Sequence, residues 1–201
     1  MFGLSTTIDD LRDGQDELRR HRYGVIEVRD ERQLRIHLRP LPKRISLLEV
    51  LAWGQRSHAR RPGNRCWLYY NQPRAHANYL ALAYLLSARG ATFRCVRGAL
   101  SVLDEIARIK GSDALLTDAW NLRVSDRLLR REGWEPHLAR RWHRHYIKRF
   151  YGSYPARYGL AAEMLGPSDP PATEPAAPAP VETPVLVLPG IAPLDTFAGV
   201  K

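Results

Sequence analysis

Sulfur is scarce in this chain of 201 residues, which holds two cysteines and two methionines. Cys66 and Cys95 each stand among apolar neighbours, and neither belongs to a CxxC pair. That argues against a disulfide scaffold or a cysteine-ligated zinc and makes a reducing cytoplasm the expected setting. Long hydrophobic runs are missing too. The most apolar stretch, Tyr79 to Leu86, is far too short for a bilayer-spanning helix, and no membrane association is expected. The amino terminus has no basic patch followed by an apolar run, so no signal peptide is expected. No P-loop, nucleophile elbow, HExxH or dinucleotide fingerprint occurs. His143 and His145 stand two apart without neighbouring carboxylates, which is a poor setting for a metal ion.

Acidic residues are outnumbered. Lys and Arg total 31 against 21 Asp and Glu, for a net charge of +10. The segment from Gly166 onward holds Asp169, Glu174, Glu182, Asp195 and Lys201, a net of −3, so residues 1–165 carry +13. Such a charge keeps a protein soluble and attracts polyanions, among them nucleic acid and phosphorylated cofactors.

Hydrophobic residues make up 44% of the chain, enough for one ordinary core. Residues 1–22 are charged and read as a surface helix or frayed arm. Val25–Val28 and Leu34–Leu38 read as two strands of a hairpin, the second alternating strictly between apolar and polar. Ser46 and Glu49 form a capping box ahead of a helix whose apolar side runs from Leu47 to Trp53. Cys66–Tyr70 has aromatic strand character. Residues 78–86 are continuously apolar and fit a buried strand or a buried helix; their alanines favour helix, the order of elements favours strand. Arg94 to Lys110 reads as an amphipathic helix, with Asp104 and Arg108 spaced as an i, i+4 ion pair and Gly111 as its stop. A short buried strand at Ala114–Thr117, a helix over Ser125–Glu132 ended by Gly133, and a last strand within 145–151 complete the core. Nine of the chain's 15 prolines fall between Pro167 and Pro193, so residues 166–201 read as a disordered Pro/Ala-rich tail with one apolar island, Val185–Leu188.

Helices alternating with strands predict an α/β fold, a mixed twisted sheet with flanking helices over residues 23–165. Within it, the string from Ser125 to Trp134, Ser-Asp-Arg-Leu-Leu-Arg-Arg-Glu-Gly-Trp, resembles the C-terminal half of the GNAT superfamily of N-acyltransferases. That half has a strand, an Asn, then a helix ending in Gly followed by Phe or Trp. The helix ending at Gly111 looks like the family's central helix. The resemblance covers about a third of the chain. It implies acyl-CoA, such as acetyl-CoA, as cofactor and a small-molecule or protein amine as acceptor. Arg94, Arg97, Gly98 and Ala99 stand where the family's pyrophosphate loop would be, with Arg97 in place of its first glycine. Asn121 is a further cofactor candidate, Asp118 a candidate base and Tyr146 a candidate phenol acid. Leu129 occupies the place where many members carry a tyrosine acid.

A second reading comes from Arg140-Arg-Trp-His-Arg-His-Tyr-Ile-Lys-Arg-Phe-Tyr151, which contains no acid. Arg140, Arg141, Trp142, Arg144, Lys148 and Arg149 would give a non-catalytic basic module the cations and ring to hold nucleic acid or an acidic partner.

Overall fold

The computed structural model describes residues 6–42, 63–118, 126–137 and 145–166. The capping-box helix, Asn121, the Arg140–Arg144 cluster and the tail lie outside them. Eight strands form one mixed sheet: β1 (Thr7–Ile8), β2 (Tyr23–Arg29), β3 (Gln33–Arg39), β4 (Arg65–Asn71), β5 (Tyr79–Ser87), β6 (Ala114–Asp118), β7 (Glu135–Pro136) and β8 (His145–Arg149), in the spatial order β1-β3-β2-β4-β5-β6-β8-β7. Among the described residues four helices accompany it: α1 (Gln15–Arg20), α2 (Phe93–Ile109), α3 (Asp126–Arg131) and α4 (Gly159–Leu165). The expected α/β class with a mixed sheet and flanking helices is therefore present.

The hairpin of β2 and β3 turns through Asp30 and Glu31, both at positive φ (49° and 66°), with Arg32 N–H donating to Arg29 O at 3.2 Å. Two left-handed central residues are what a tight hairpin turn needs to match strand twist. Within residues 6–22 the helix alternative forms, as α1, and the segment is anchored to the sheet. Thr7–Ile8 pairs with β3 at His37 and Ile36, and Leu11 and Leu18 are fully buried. Two apolar side chains anchor a segment whose charge otherwise hides its packing.

The ambiguous segment 78–86 is a strand. β5 pairs antiparallel with β4 and parallel with β6, so it sits in mid-sheet, with Leu80 and Leu82 buried. Burial alternates over Tyr79–Leu82, but the residues of the half-buried face, Tyr79 and Ala81, are apolar as well, which is why the sequence shows no alternation. Its pairing with β4 slips between Tyr69–Tyr84 and Tyr70–Leu82, leaving Ala83 as a bulge.

Helix α2 makes the crossover between the parallel strands. Thr92 caps it, its hydroxyl accepting from Cys95 N–H at 3.2 Å. Gly111, at φ 63°, ends it: Ser112 N–H reaches Ala107 O at 2.9 Å and Gly111 N–H reaches Arg108 O at 3.1 Å, a Schellman closure. The expected one-sided stripe is not what forms. Residues 98–107 are buried all round, because β2 and β4 pack on one side and α4 on the other. α4 approaches α2 at Gly98, where a Cβ would meet Leu160 Cβ at 3.4 Å, an ordinary van der Waals contact. The expected Asp104–Arg108 pair is replaced as well. Asp104 turns inward to Lys148 at 2.7 Å, while Arg108 pairs with Glu105 at 2.6 Å.

Candidate functional site

β5 and β6 are the parallel pair of the sheet. In open α/β sheets ligands bind beyond the carboxyl ends of parallel strands, where the chain reverses direction. Here the ladder runs from Tyr79–Ala114 to Leu82–Thr117 and stops, while β5 continues to Ser87. Residues 83–87 keep β4 on one edge but have no strand on the other among the described residues. At the parting point the Thr117 hydroxyl donates to Leu82 O at 3.1 Å. The bulge at Ala83 bends β5 at the same level. The result is an edge of backbone groups beside the carboxyl end of β6.

Register then sorts the side chains. Leu82, Thr117 and Tyr146 form one row, on the face toward α2; Asp118 and His145 form the next, on the opposite face. The two residues expected to act as base and acid, Asp118 and Tyr146, therefore point to opposite sides of the sheet. Tyr146 is buried at 3% exposure within the main core. Asp118 is at the carboxyl end of β6, with its Oδ1 3.9 Å from His145 Nδ1, and both side chains are about one-third exposed (30% and 28%). His145 is a site residue that sequence reading passed over; its nearness to Asp118 comes from strand register.

The amino end of α2 is where a pyrophosphate would be held. Arg94, Arg97, Gly98 and Ala99 lie inside the first two turns of the helix, since it begins at Phe93. Only Arg94 of these is exposed. Arg97 is already engaged. Its Nε lies 3.2 Å from the buried Glu132 carboxylate, and its guanidinium stacks 5.2 Å from the Tyr158 ring. Gly98 and Ala99 are buried in packing. Thr92 N–H donates to Asn64 Oδ1 at 2.9 Å, and the Thr92 hydroxyl donates to Glu31 Oε1 at 2.6 Å. Glu31 thus places a carboxylate at the positive end of the helix, where an anionic ligand would otherwise sit. Thr92 was readable as a helix cap from its place before an apolar run; Glu31 was not, since the hairpin turn brings it from far along the chain. Phe93, 44% exposed, has the Arg131 guanidinium 5.7 Å from its ring.

Behind Arg97 lies a buried polar layer. Lys148 Nζ and the Tyr158 hydroxyl both donate to Asp104 Oδ2, at 2.7 and 2.8 Å. Burial pushes the Asp104 carboxyl above its usual range, and the Lys148 ammonium draws it part of the way back. Arg157 Nε donates to Glu105 at 3.1 Å. Lys148 is thus internal and charge-matched, and Arg149 pairs with Glu135. Of the six residues of the nucleic-acid reading, the two that are described are both committed to carboxylates. Both cysteines are buried, and burial pushes the Cys95 thiol up to about 11 and the Cys66 thiol higher.

Among the described residues no cluster of three or more His, Cys, Asp or Glu could hold a metal ion, and no helix is long and apolar enough to cross a membrane. No protein-family model, curated protein or solved structure matches the chain.

Proposed function

We propose that the chain is a GNAT-like acyl-CoA-binding domain that transfers an acyl group to an amine. One observation carries the reading: the parallel β5–β6 ladder ends at Leu82–Thr117 while β5 runs on to Ser87, with α2 crossing between them. An extended thioester arm can hydrogen-bond along β5 past Leu82 as a further strand would. Acyl-CoA, if bound, supplies the activated thioester. The cleft supplies Asp118 as base for an incoming ammonium, with His145 beside it and backbone N–H groups of β5 past Leu82, other than those of Tyr84 and Ser87, to polarise a carbonyl. Arg94 and the exposed first turn of α2 are the groups left to meet phosphate, since Arg97 is tied to Glu132.

Glu31 works against an anion at that end of the helix. Two expectations follow. Acetyl-CoA at millimolar concentration raises the melting temperature of the full chain above that in phosphate-matched buffer. Glu31→Gln binds acetyl-CoA several-fold more tightly than the parent, by calorimetric titration, because it removes the repulsion while keeping an acceptor for Thr92. No cofactor-dependent shift in either protein would overturn the reading. Once an acceptor amine is found, Asp118→Asn lowers kcat about 100-fold with KM for acyl-CoA little changed, as read by thiol release.

A further inference from the structure

The β1 edge of the sheet carries a second set of reactive groups. Thr7 on β1 stands opposite His37 on β3. Leu38 N–H donates to Thr6 O at 2.9 Å, so Thr6–Leu38 is a hydrogen-bonded pair and Thr7–His37, next to it, is a non-hydrogen-bonded one. In such a pair the side chains lie closest, and Thr7 Oγ1 is 3.1 Å from His37 Nδ1. The other ring nitrogen, Nε2, is 3.3 Å from Glu27 Oε2 on β2. Glu27 Oε1 is taken by Arg29 Nε, which donates to it at 2.7 Å. Hydroxyl, imidazole and carboxylate are thus in sequential contact across three adjacent strands.

Chemistry then fixes the protons. Burial raises the Glu27 carboxyl, but the bonds and charges of Arg29 and His37 outweigh it, so the group stays ionised at neutral pH. An ionised carboxylate only accepts, so Nε2 carries the proton of the neutral ring and donates it to Glu27. Nδ1 keeps its lone pair and accepts from the Thr7 hydroxyl. Exposure rises in the same order: the Glu27 side chain is 6% exposed, that of His37 34%, and Thr7 is open to solvent. The carboxylate is shielded from water while the hydroxyl can be reached. Arg35, on the same face of β3 as His37, pairs with Asp9 at 3.5 Å. Backbone groups of a non-hydrogen-bonded pair point away from the partner strand. The Thr7 N–H therefore turns to the outer side of β1, where no further strand follows among the described residues. It stands beside Oγ1 as a donor for an oxyanion formed at a carbonyl that Oγ1 attacks.

We propose that Thr7, His37 and Glu27 form a nucleophile, base and carboxylate triad that hydrolyses small activated carboxylic esters. It does not rest on acyl-CoA binding or on the β5–β6 cleft. Thr7 Oγ1 attacks the ester carbonyl and its proton passes to His37 Nδ1, leaving an imidazolium that faces Glu27. The bond to the alcohol oxygen breaks, and that oxygen leaves with the proton from His37. Water, giving a proton to His37, then attacks the acyl–Thr7 ester. The carboxylic acid departs as Thr7 Oγ1 recovers its proton from His37. Glu27 is a positioning residue, acting through the ring. The test is p-nitrophenol release from p-nitrophenyl acetate by the full chain, with peptide mass mapping after an acid quench. The expected result is an acetyl group on the peptide that bears Thr7. Thr7→Val and His37→Gln each lower kcat/KM about 100-fold, and Thr7→Ser keeps it within about threefold. Glu27→Gln lowers kcat about tenfold with KM unchanged, a split that a loss of folded protein would not single out from the Thr7 label. His76→Gln, an exposed histidine away from β1, keeps the parent rate. Thr7 lies at an exposed edge and valine keeps its shape, so that variant folds even if Glu27→Gln does not. A parent rate no higher than that of Thr7→Val, an equal fall in His76→Gln, or acetyl found only on other residues overturns the proposal.

Discussion

Glu27 shows how much a single side chain can depend on its cross-strand neighbours. It is nearly buried on β2, and burial alone would push its carboxyl upward. Hydrogen bonds and charge from Arg29, 2.7 Å away, and from His37, 3.3 Å away, outweigh that and hold it below the usual 4.5. A depressed carboxyl contributes stability that is complete above the unfolded value and is lost as pH falls through the lower folded value. Urea unfolding of the parent should therefore weaken on acidification below about pH 4.5. Glu27→Gln should be less stable at pH 7 by about 1–3 kcal/mol and have a flatter acid limb. Lys148 is the second residue with a large lever. Lys148→Met leaves the Asp104 carboxylate buried without its countercharge and should cost about 3–5 kcal/mol in urea unfolding, most of it recovered when Asp104→Leu is added. Neither pair was legible in the sequence. Asp104 had a partner at the right helical spacing in Arg108, and nothing local says that it turns instead to a lysine 44 positions away.

Among the elements, β3 and β5 mark the two extremes of legibility. Strict alternation announced β3, because one of its faces is buried and the other is not. β5 gave no periodic signal, because both of its faces carry apolar residues. Its identity depends on Ala114–Thr117 arriving beside it in parallel, a partner more than thirty residues away. Helix α2 was legible in extent to within a residue, but not in surroundings: its second contact is made by α4, which follows much later. That contact passes over Gly98. Gly98→Ala meets Leu160 at ordinary van der Waals distance, whereas Gly98→Leu overfills the helix–helix contact and should cost about 1–3 kcal/mol by thermal unfolding. Of the candidate site, Asp118 was recognisable as the end of a short buried strand. His145 and Glu31 reach the site only through register and hairpin geometry, which composition and spacing do not encode. Gly133 behaved as its position suggested: at φ 83°, with Trp134 N–H closing onto Leu129 O at 2.9 Å, it ends α3.

At the scale of the whole described body, the sheet is flanked by strands of two residues at each edge, β1 and β7. Short edge strands offer little template for pairing with another chain. The central strands β2 and β4 are apolar and paired on both edges, and β5 is so paired as far as Leu82. The order of helices and strands announced an α/β class, while the position of the β2–β3 hairpin, with β2 rather than β3 against β4, is a matter of long-range pairing. Finally, α2 is clasped from outside by residues that follow β8. Leu160 sits over Gly98, the Ala161 N–H donates to Ser101 Oγ at 3.3 Å, and Tyr158 and Arg157 bond to Asp104 and Glu105. During synthesis from the amino end, the sheet-forming segments leave the ribosome before this clasp does. Until it emerges, the outer side of α2 is wet and Glu105 lacks its bond from Arg157. The last turn of the folded body is thus the piece that makes the helix an interior one, and a nascent chain halted before Tyr158 would still wear it on the surface.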